Sequence, residues 1–445
     1  MYSDPTRFCF EKAFLFRIFH DIIVFTGVFI LPDLSKKVVV VGGGAAGLMA
    51  AGFAAQNGAQ ALVLEKMKRP ARKILITGKG RCNLTNKAPV REFLRHYNKN
   101  GRFLRPSFTH FFSGDLIDFF EQRGVKCITE RGGRIFPESE NARDIVDALV
   151  SWSKKQGAKI QTASPISEIF AEYGKVRGVR LKNGKEIFAD AVILATGGAS
   201  YPATGSTGDG YRAAKQLGHT IVPIRPALVP VETSGKTASS LQGLSLKNVN
   251  VSVWYDDKKQ GEQFGELLFT HFGLSGPAIL TLSRTIVDAI REGKKVEVSI
   301  DLKPALDMKK LDARLLRDLD NYGKKKIENI LKGLLPSALI PVCLQQTGIS
   351  GESRGNRLNS EQRKQLRLWL KDFRLLLSKP RGFDEAIVTA GGVDTKEVDP
   401  RTMESRIIKN LYFAGEILDI DGDTGGYNLQ AAFSTGALAG VKCAQ

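Results

Sequence analysis

The sequence predicts an α/β fold, a parallel sheet built from the two ends of the chain and interrupted by a β-rich segment and a helical one. Three observations predict it. Residues 38–50, "VVVVGGGAAGLMA", run from an unbroken apolar strand through glycines into a small-residue helix. Between about Thr220 and Ile300 the pattern changes to alternating β segments with many turns. After residue 378 the first style returns. A chain of 445 residues is long enough for two or three domains with a large core.

Residues 1–35 read as an N-terminal extension. Phe14 to Leu31 is apolar, yet Arg17, His20 and Asp21 interrupt it and its longest uncharged run is only Ile22 to Leu31. A bilayer helix needs about 20 mostly apolar residues, so no stable membrane insertion is expected. No small-residue cleavage site precedes Ser35, and no methionine falls between Met1 and Met49, so a shorter product would need a non-methionine start codon.

From Lys36 the order is strand, glycine turn, helix, strand: "KKVVVV", "GGGAAG", "LMAAGFAAQNG", "AQALVLEK". The valine run has no alternation, as in a parallel strand covered on both faces. Two amphipathic helices, "GDLIDFFEQRG" and "ARDIVDALVSWSKKQG", each precede a short β-like segment, "VKCITE" and "AKIQTA". "VRGVRLKNGKEIFADAVILATGG" is a hairpin turning at Asn183-Gly184 and feeding another buried strand. Residues 36–219 therefore form the first part of a nucleotide-binding domain. Residues 220–300 are an antiparallel β insert, 301–377 a charged helical lobe, and 378–445 the second part of the first domain. There is no internal repeat.

Lysine and arginine total 65 against 46 acidic residues, giving a formal charge of +19. The basic residues are scattered, which reads as a solvated surface, although such a surplus also suits anionic partners. Cysteines 9, 82, 127, 343 and 443 form no CxxC pair and no metal-ligand spacing, which points to a reducing cytoplasm and to no metal site.

Gly42-x-Gly44-x-x-Gly47 follows a strand, opens a helix at Ala45 and Ala46, and is followed 18 residues later by Glu65 at the end of the next strand. That context marks a dinucleotide site. Gly42 permits the turn, Gly44 the approach of a pyrophosphate and Gly47 the packing of helix on strand. The helix N-terminus offers unpaired N–H groups to the phosphates. Glu65 would accept from ribose hydroxyls and disfavours a 2′-phosphate. Two further strand ends, "VILATGG" (Val192 to Gly198) and "NLYFAGEILD" (Asn410 to Asp419), match the cofactor-facing strands of two-dinucleotide flavoproteins.

With "GKGRCNLTN" (Gly78 to Asn86), "GGRIFPES", "THFGLSGPAIL" and "DIDGDTGGYNLQAAFSTGALAG", the chain from about Lys36 to Gly440 resembles a bacterial FAD-dependent family that includes bile-acid dehydro-reductase and aminoacetone oxidase-type flavoproteins. The resemblance implies a glutathione-reductase-like FAD-binding Rossmann domain interrupted by a pseudo-β-barrel domain and a helical lobe. It implies that Gly42, Gly44, Gly47 and Glu65 hold the adenosine half of FAD, with Lys66 beside them and Arg72 and Lys73 meeting the pyrophosphate. Thr196 and Gly197 would line the cofactor, and Gly415, Glu416 and Asp419 would meet its diphosphate and ribityl region. Gly426, Tyr427, Asn428, Leu429 and Gln430 would open a helix toward the flavin N1–C2 carbonyl. Arg81, Asn83 and Thr85 suit a loop at the isoalloxazine edge. Cys82, His271 and Tyr201 are catalytic candidates, each also readable as an ordinary structural residue or, for Tyr201, a substrate contact.

The function expected is hydride transfer through flavin N5 to or from a small organic substrate. No second glycine fingerprint follows a strand between Thr220 and Leu377, so NADH or NADPH, if used, would dock transiently. Two alternatives stand beside it: an RNA-modifying flavoenzyme, suggested by the charge and by "GKKKIENILKG", and a non-enzymatic flavin-binding redox sensor.

Overall fold

The computed structural model describes residues 35–445; the extension read over residues 1–35 lies outside them, apart from Ser35. At its centre is a five-stranded parallel sheet in the order Leu411–Phe413, Ala191–Leu194, Lys37–Val41, Gln60–Leu64, Lys159–Gln161. The opening strand lies in the middle, and Val38 to Val41 are buried, as the unalternating valines required.

One face of the sheet carries the opening helix, Ala45–Gln56, against the C-terminal helix, Tyr427–Ala444. The two touch backbone to backbone. A Cβ on Gly436 would lie 2.4 Å from the Ala46 carbonyl oxygen, and one on Gly440 2.3 Å from that of Ala50. Only glycine allows this approach, and it fixes the two helices so that both open at the same end of the sheet.

The insert is a closed six-stranded barrel: Val231–Thr233, Gly273–Ser275, Lys258–Phe269, Ser245–Tyr255, Glu297–Asp301 and Phe373–Pro380, in that spatial order. Its apolar core is continuous with that of helices Pro277–Arg291, Met308–Tyr322, Leu339–Thr347 and Ser360–Lys371. Residues 373–377, read from sequence as the end of a helix, instead form the last barrel strand. Phe373, Leu375 and Leu377 alternate inward, a period-2 pattern hidden by the intervening Leu376. The two chain segments that lead into and out of the barrel pair as a separate antiparallel ladder, Ile221–Ala227 with Val388–Val393. Among the described residues no helix is long and apolar enough to cross a membrane.

Candidate functional site

A cavity of about 1330 Å³ opens where the central strands end. This exceeds the ~300–1,000 Å³ of ordinary ligand pockets, leaving room for a dinucleotide and a second molecule.

The glycine turn forms its floor. Gly42 has φ +103°, and a Cβ there would lie 2.5 Å from the Ala195 carbonyl oxygen. A Cβ on Gly47 would sit 1.8 Å from the Gly42 oxygen, so only glycine lets the helix rest on the turn. Gly44 faces open space, with nothing within 4 Å of where its Cβ would be. The helix starting at Ala45 has no side-chain cap and no acidic residue in its first turn. Its first N–H groups therefore lack internal acceptors, and Gly44, Ala45 and Ala46 line the cavity.

Glu65 is buried beside this turn. Its Oε2 accepts from the Gly43 N–H at 2.8 Å and its Oε1 from the Met67 N–H at 2.7 Å. A carboxylate has about four acceptor positions, so two remain for hydroxyl donors. Lys66 pairs with Asp209 Oδ2 at 2.8 Å and donates to Thr207 Oγ1 at 2.7 Å. Asp209, missed by sequence reasoning, opens a helix behind the glycine turn "TGSTGDG".

Lys73 and Glu416 both line the cavity, but they face each other. Lys73 Nζ lies 2.8 Å from Glu416 Oε2 and 2.7 Å from Ser200 Oγ. Glu416 Oε1 accepts from Ser200 Oγ at 3.0 Å and from the Thr389 N–H at 2.8 Å. This pair ties together four distant segments, those of Lys73, Ser200, Thr389 and Glu416, and so forms a wall. Arg72, next to it, has no side-chain partner among the described residues and lines the cavity. Thr196, Gly197 and Gly415 also line it, and Thr196 Oγ1 is buried without a partner among the described residues.

At the other end stands the C-terminal helix. Its N-cap, Gly426, has φ +96°, and it too has neither a side-chain cap nor an early acidic residue. Asn83 holds the turn. Its amide donates to the Ile135 and Thr85 carbonyls at 3.1 and 3.0 Å and accepts from the Gly426 N–H at 3.0 Å. Asn428 braces the loop before it, accepting from the Gly422 N–H at 2.8 Å and donating to the Gly422 carbonyl at 2.8 Å. Asn83, Gly426, Asn428 and Leu429 line the cavity, as does Arg81, which lies over the Phe136 ring and pairs with Glu130 and Glu140.

Five candidates for cofactor contact are not brought to this surface. Asp419 is buried against the 98–100 segment, its Oδ2 2.7 Å from Asn100 Nδ2, and burial raises its pKa. Tyr427 turns inward and stacks on His96 at 4.2 Å. Gln430 is buried and donates to Ser434 Oγ at 2.9 Å. Thr85 lies beneath Gly426, and Gly47 is under the helix rather than on the cavity wall. Successive residues of a helix or loop point in different directions, so a contiguous motif does not line one surface.

Of the catalytic candidates only Tyr201 reaches the cavity, in a left-handed conformation with φ +51°. His271 is exposed on the barrel, edge-on to Phe272, and does not line it. Cys82 is fully buried in the core, and burial drives its thiol far above the ordinary range, which disfavours the nucleophilic thiolate.

An open glycine turn, two bare helix N-termini facing one cavity, a ribose-ready carboxylate and an orphaned hydroxyl fit an FAD. The fold and site thus define an FAD-dependent oxidoreductase. The chain belongs to the family described as HI0933-like protein Rossmann domain, whose model matches residues 36–442. It is 34% identical to the 3-dehydro-bile acid delta(4,6)-reductase of Clostridium scindens, over 92% of this chain and 99% of that protein. It is also 34% identical to the ribosomal RNA dihydrouridine synthase of Escherichia coli, over 89% of this chain and 95% of that one. The Haemophilus influenzae protein of the same name is 33% identical, over 89% and 96%. Membership in an enzyme family sets aside the non-enzymatic sensor.

Proposed function

We propose that this protein uses FAD to reduce a carbon–carbon double bond conjugated to a carbonyl, with electrons from NADH or NADPH docking transiently beside the cofactor. The observation that carries this is the cavity itself, larger than one ligand needs and framed by two uncapped helix N-termini. The relatives' names agree on the direction of the chemistry, one being a reductase and the other the maker of a dihydro product. Double bonds at positions 4 and 6 of a 3-keto steroid and the ring double bond of uridine are all conjugated to a carbonyl.

FAD supplies hydride chemistry at N5 when bound. Glu65 would accept from its ribose hydroxyls. The N–H groups opening at Ala45 and Ala46, with Arg72, would bind its diphosphate, and Thr196 and Gly197 would flank it. The bare N-terminus at Asn428 and Leu429 would hold negative charge at the flavin carbonyl. Tyr201 would contact the substrate. The four cysteines among the described residues are free, which fits a reducing compartment.

One observation favours a macromolecular substrate as a second reading. The side chains of Arg69, Arg72, Lys79, Lys182 and Arg212 line the cavity with no partner among the described residues. That is more free positive charge than a single diphosphate neutralises, and it suits the phosphates of RNA.

The purified protein should be yellow, and under anaerobic conditions NADH or NADPH should bleach its flavin. A conjugated ketone should then restore the colour. A colourless protein that FAD does not reconstitute, or a flavin bleached by neither donor, overturns the proposal. Retention of bulk tRNA at low ionic strength, lost steeply with salt, would select the RNA substrate; no retention eliminates it.

A further inference from the structure

We infer that Asp423 and His96 form a proton relay running from solvent to the cavity. This rests on the reduction proposed above. Adding hydrogen across a conjugated double bond takes a hydride at one carbon and a proton at the carbon next to the carbonyl. The hydride comes from the reduced cofactor, so the protein must supply the proton.

Four carboxylates line the cavity, and three are already engaged. Glu65 accepts from two backbone N–H groups, Asp209 is paired with Lys66, and Glu416 is held by Lys73, Ser200 and Thr389. Asp423 alone is bonded to an imidazole, its Oδ2 lying 3.0 Å from His96 Nδ1. It sits three residues before Gly426, where the C-terminal helix opens onto the cavity.

The pair is built rigidly from both backbones. The Asp423 N–H donates to the His96 carbonyl at 2.8 Å, and Asn428 Nδ2 donates to the Asp423 carbonyl at 3.2 Å. The His96 ring stacks on Tyr427 at 4.2 Å with 20° between planes, which fixes Nδ1 toward the carboxylate. Tyr427, turned away from the cavity, is therefore a positioning residue. The His96 side chain is 33% exposed, and its Nε2 has no partner among the described residues, so water can reach it.

In the step assigned here the single proton held between His96 Nδ1 and Asp423 moves onto the carboxylate, and that O–H bond breaks as the substrate C–H bond forms. A solvent proton, taken up at His96 Nε2 with hydroxide left to the bulk, then restores the pair. Each turnover thus draws one proton from solvent. Asp423 is the catalytic acid, and His96 reloads it.

The test uses the holoenzyme with its flavin reduced by dithionite and a 3-keto-4,6-diene steroid as probe. Asp423→Asn should keep its flavin yet slow reoxidation by the probe about 100-fold or more, the usual contribution of a general acid. His96→Gln should slow it about 10-fold, between that variant and the wild type. Ferricyanide, which takes electrons without needing a proton on carbon, should reoxidise all three alike. In the cofactor-free protein, a downfield imidazole N–H proton resonance should vanish in both variants. Wild-type rates with the probe in Asp423→Asn overturn the relay while leaving the proposed reduction standing. A wild-type flavin that the probe does not reoxidise counts against the reduction itself. A resonance that persists in both variants overturns the pair whatever the substrate.

Discussion

Two helices of the insert and the two that open at the cavity's glycine turns begin in opposite ways. Met308–Tyr322 is capped by Asp307, whose carboxylate accepts from the Lys310 N–H at 2.7 Å. Ser360–Lys371 starts with a reciprocal box between Asn359 and Gln362. Ala45–Gln56 and Tyr427–Ala444 start at Gly44 and Gly426 with no such bond. All four leave the same unpaired N–H groups at their first turn. Asp307 and Asn359 satisfy part of them with side chains, whereas the two glycine-started helices have no such cap and pack closely against each other.

Gly47→Ala should break that contrast most severely. The added methyl would meet the Gly42 oxygen at 1.8 Å, lifting the helix off its turn. A cost of about 3 kcal/mol or more is expected, seen as a lower melting temperature together with loss of flavin absorbance. Glu65→Ala removes the acceptor for two backbone N–H groups and, on the proposed function, for the ribose. FAD affinity should fall by about 1.5–3 kcal/mol, measurable by equilibrium dialysis. Asp307→Ala should cost about 1 kcal/mol of stability in urea titration and leave FAD affinity unchanged. A loss of FAD affinity there would show that the two sets of helices are not independent.

The glycine turn, Glu65 and the strand ends were legible because their chemistry is local: each depends on residues a few positions apart. Arg72, Thr196 and Gly415 also reach the cavity as their motifs suggested. Lys73 illustrates what was not legible. A lysine after the second strand reads as a phosphate ligand until the fold brings Glu416, 343 residues away, to within 2.8 Å. The His96–Asp423 pair spans 327 residues and had no local pattern at all. Asp419 shared a motif with Glu416, yet the loop turns it away into the 98–100 segment. In the insert, the strand at Phe373–Pro380 was masked because "FRLLL" satisfies a helical pattern as well as an alternating one.

The glycine contacts between the opening and C-terminal helices also dictate an order of assembly. Ala46 meets Gly436 across 390 positions of sequence, so the cavity cannot close until the Tyr427–Ala444 helix has been made. The barrel and its helices, which lie wholly within the intervening chain, carry their own apolar core and are free to fold first. A chain lacking the Tyr427–Ala444 helix would keep the apolar core of the insert but lose one wall of the cavity.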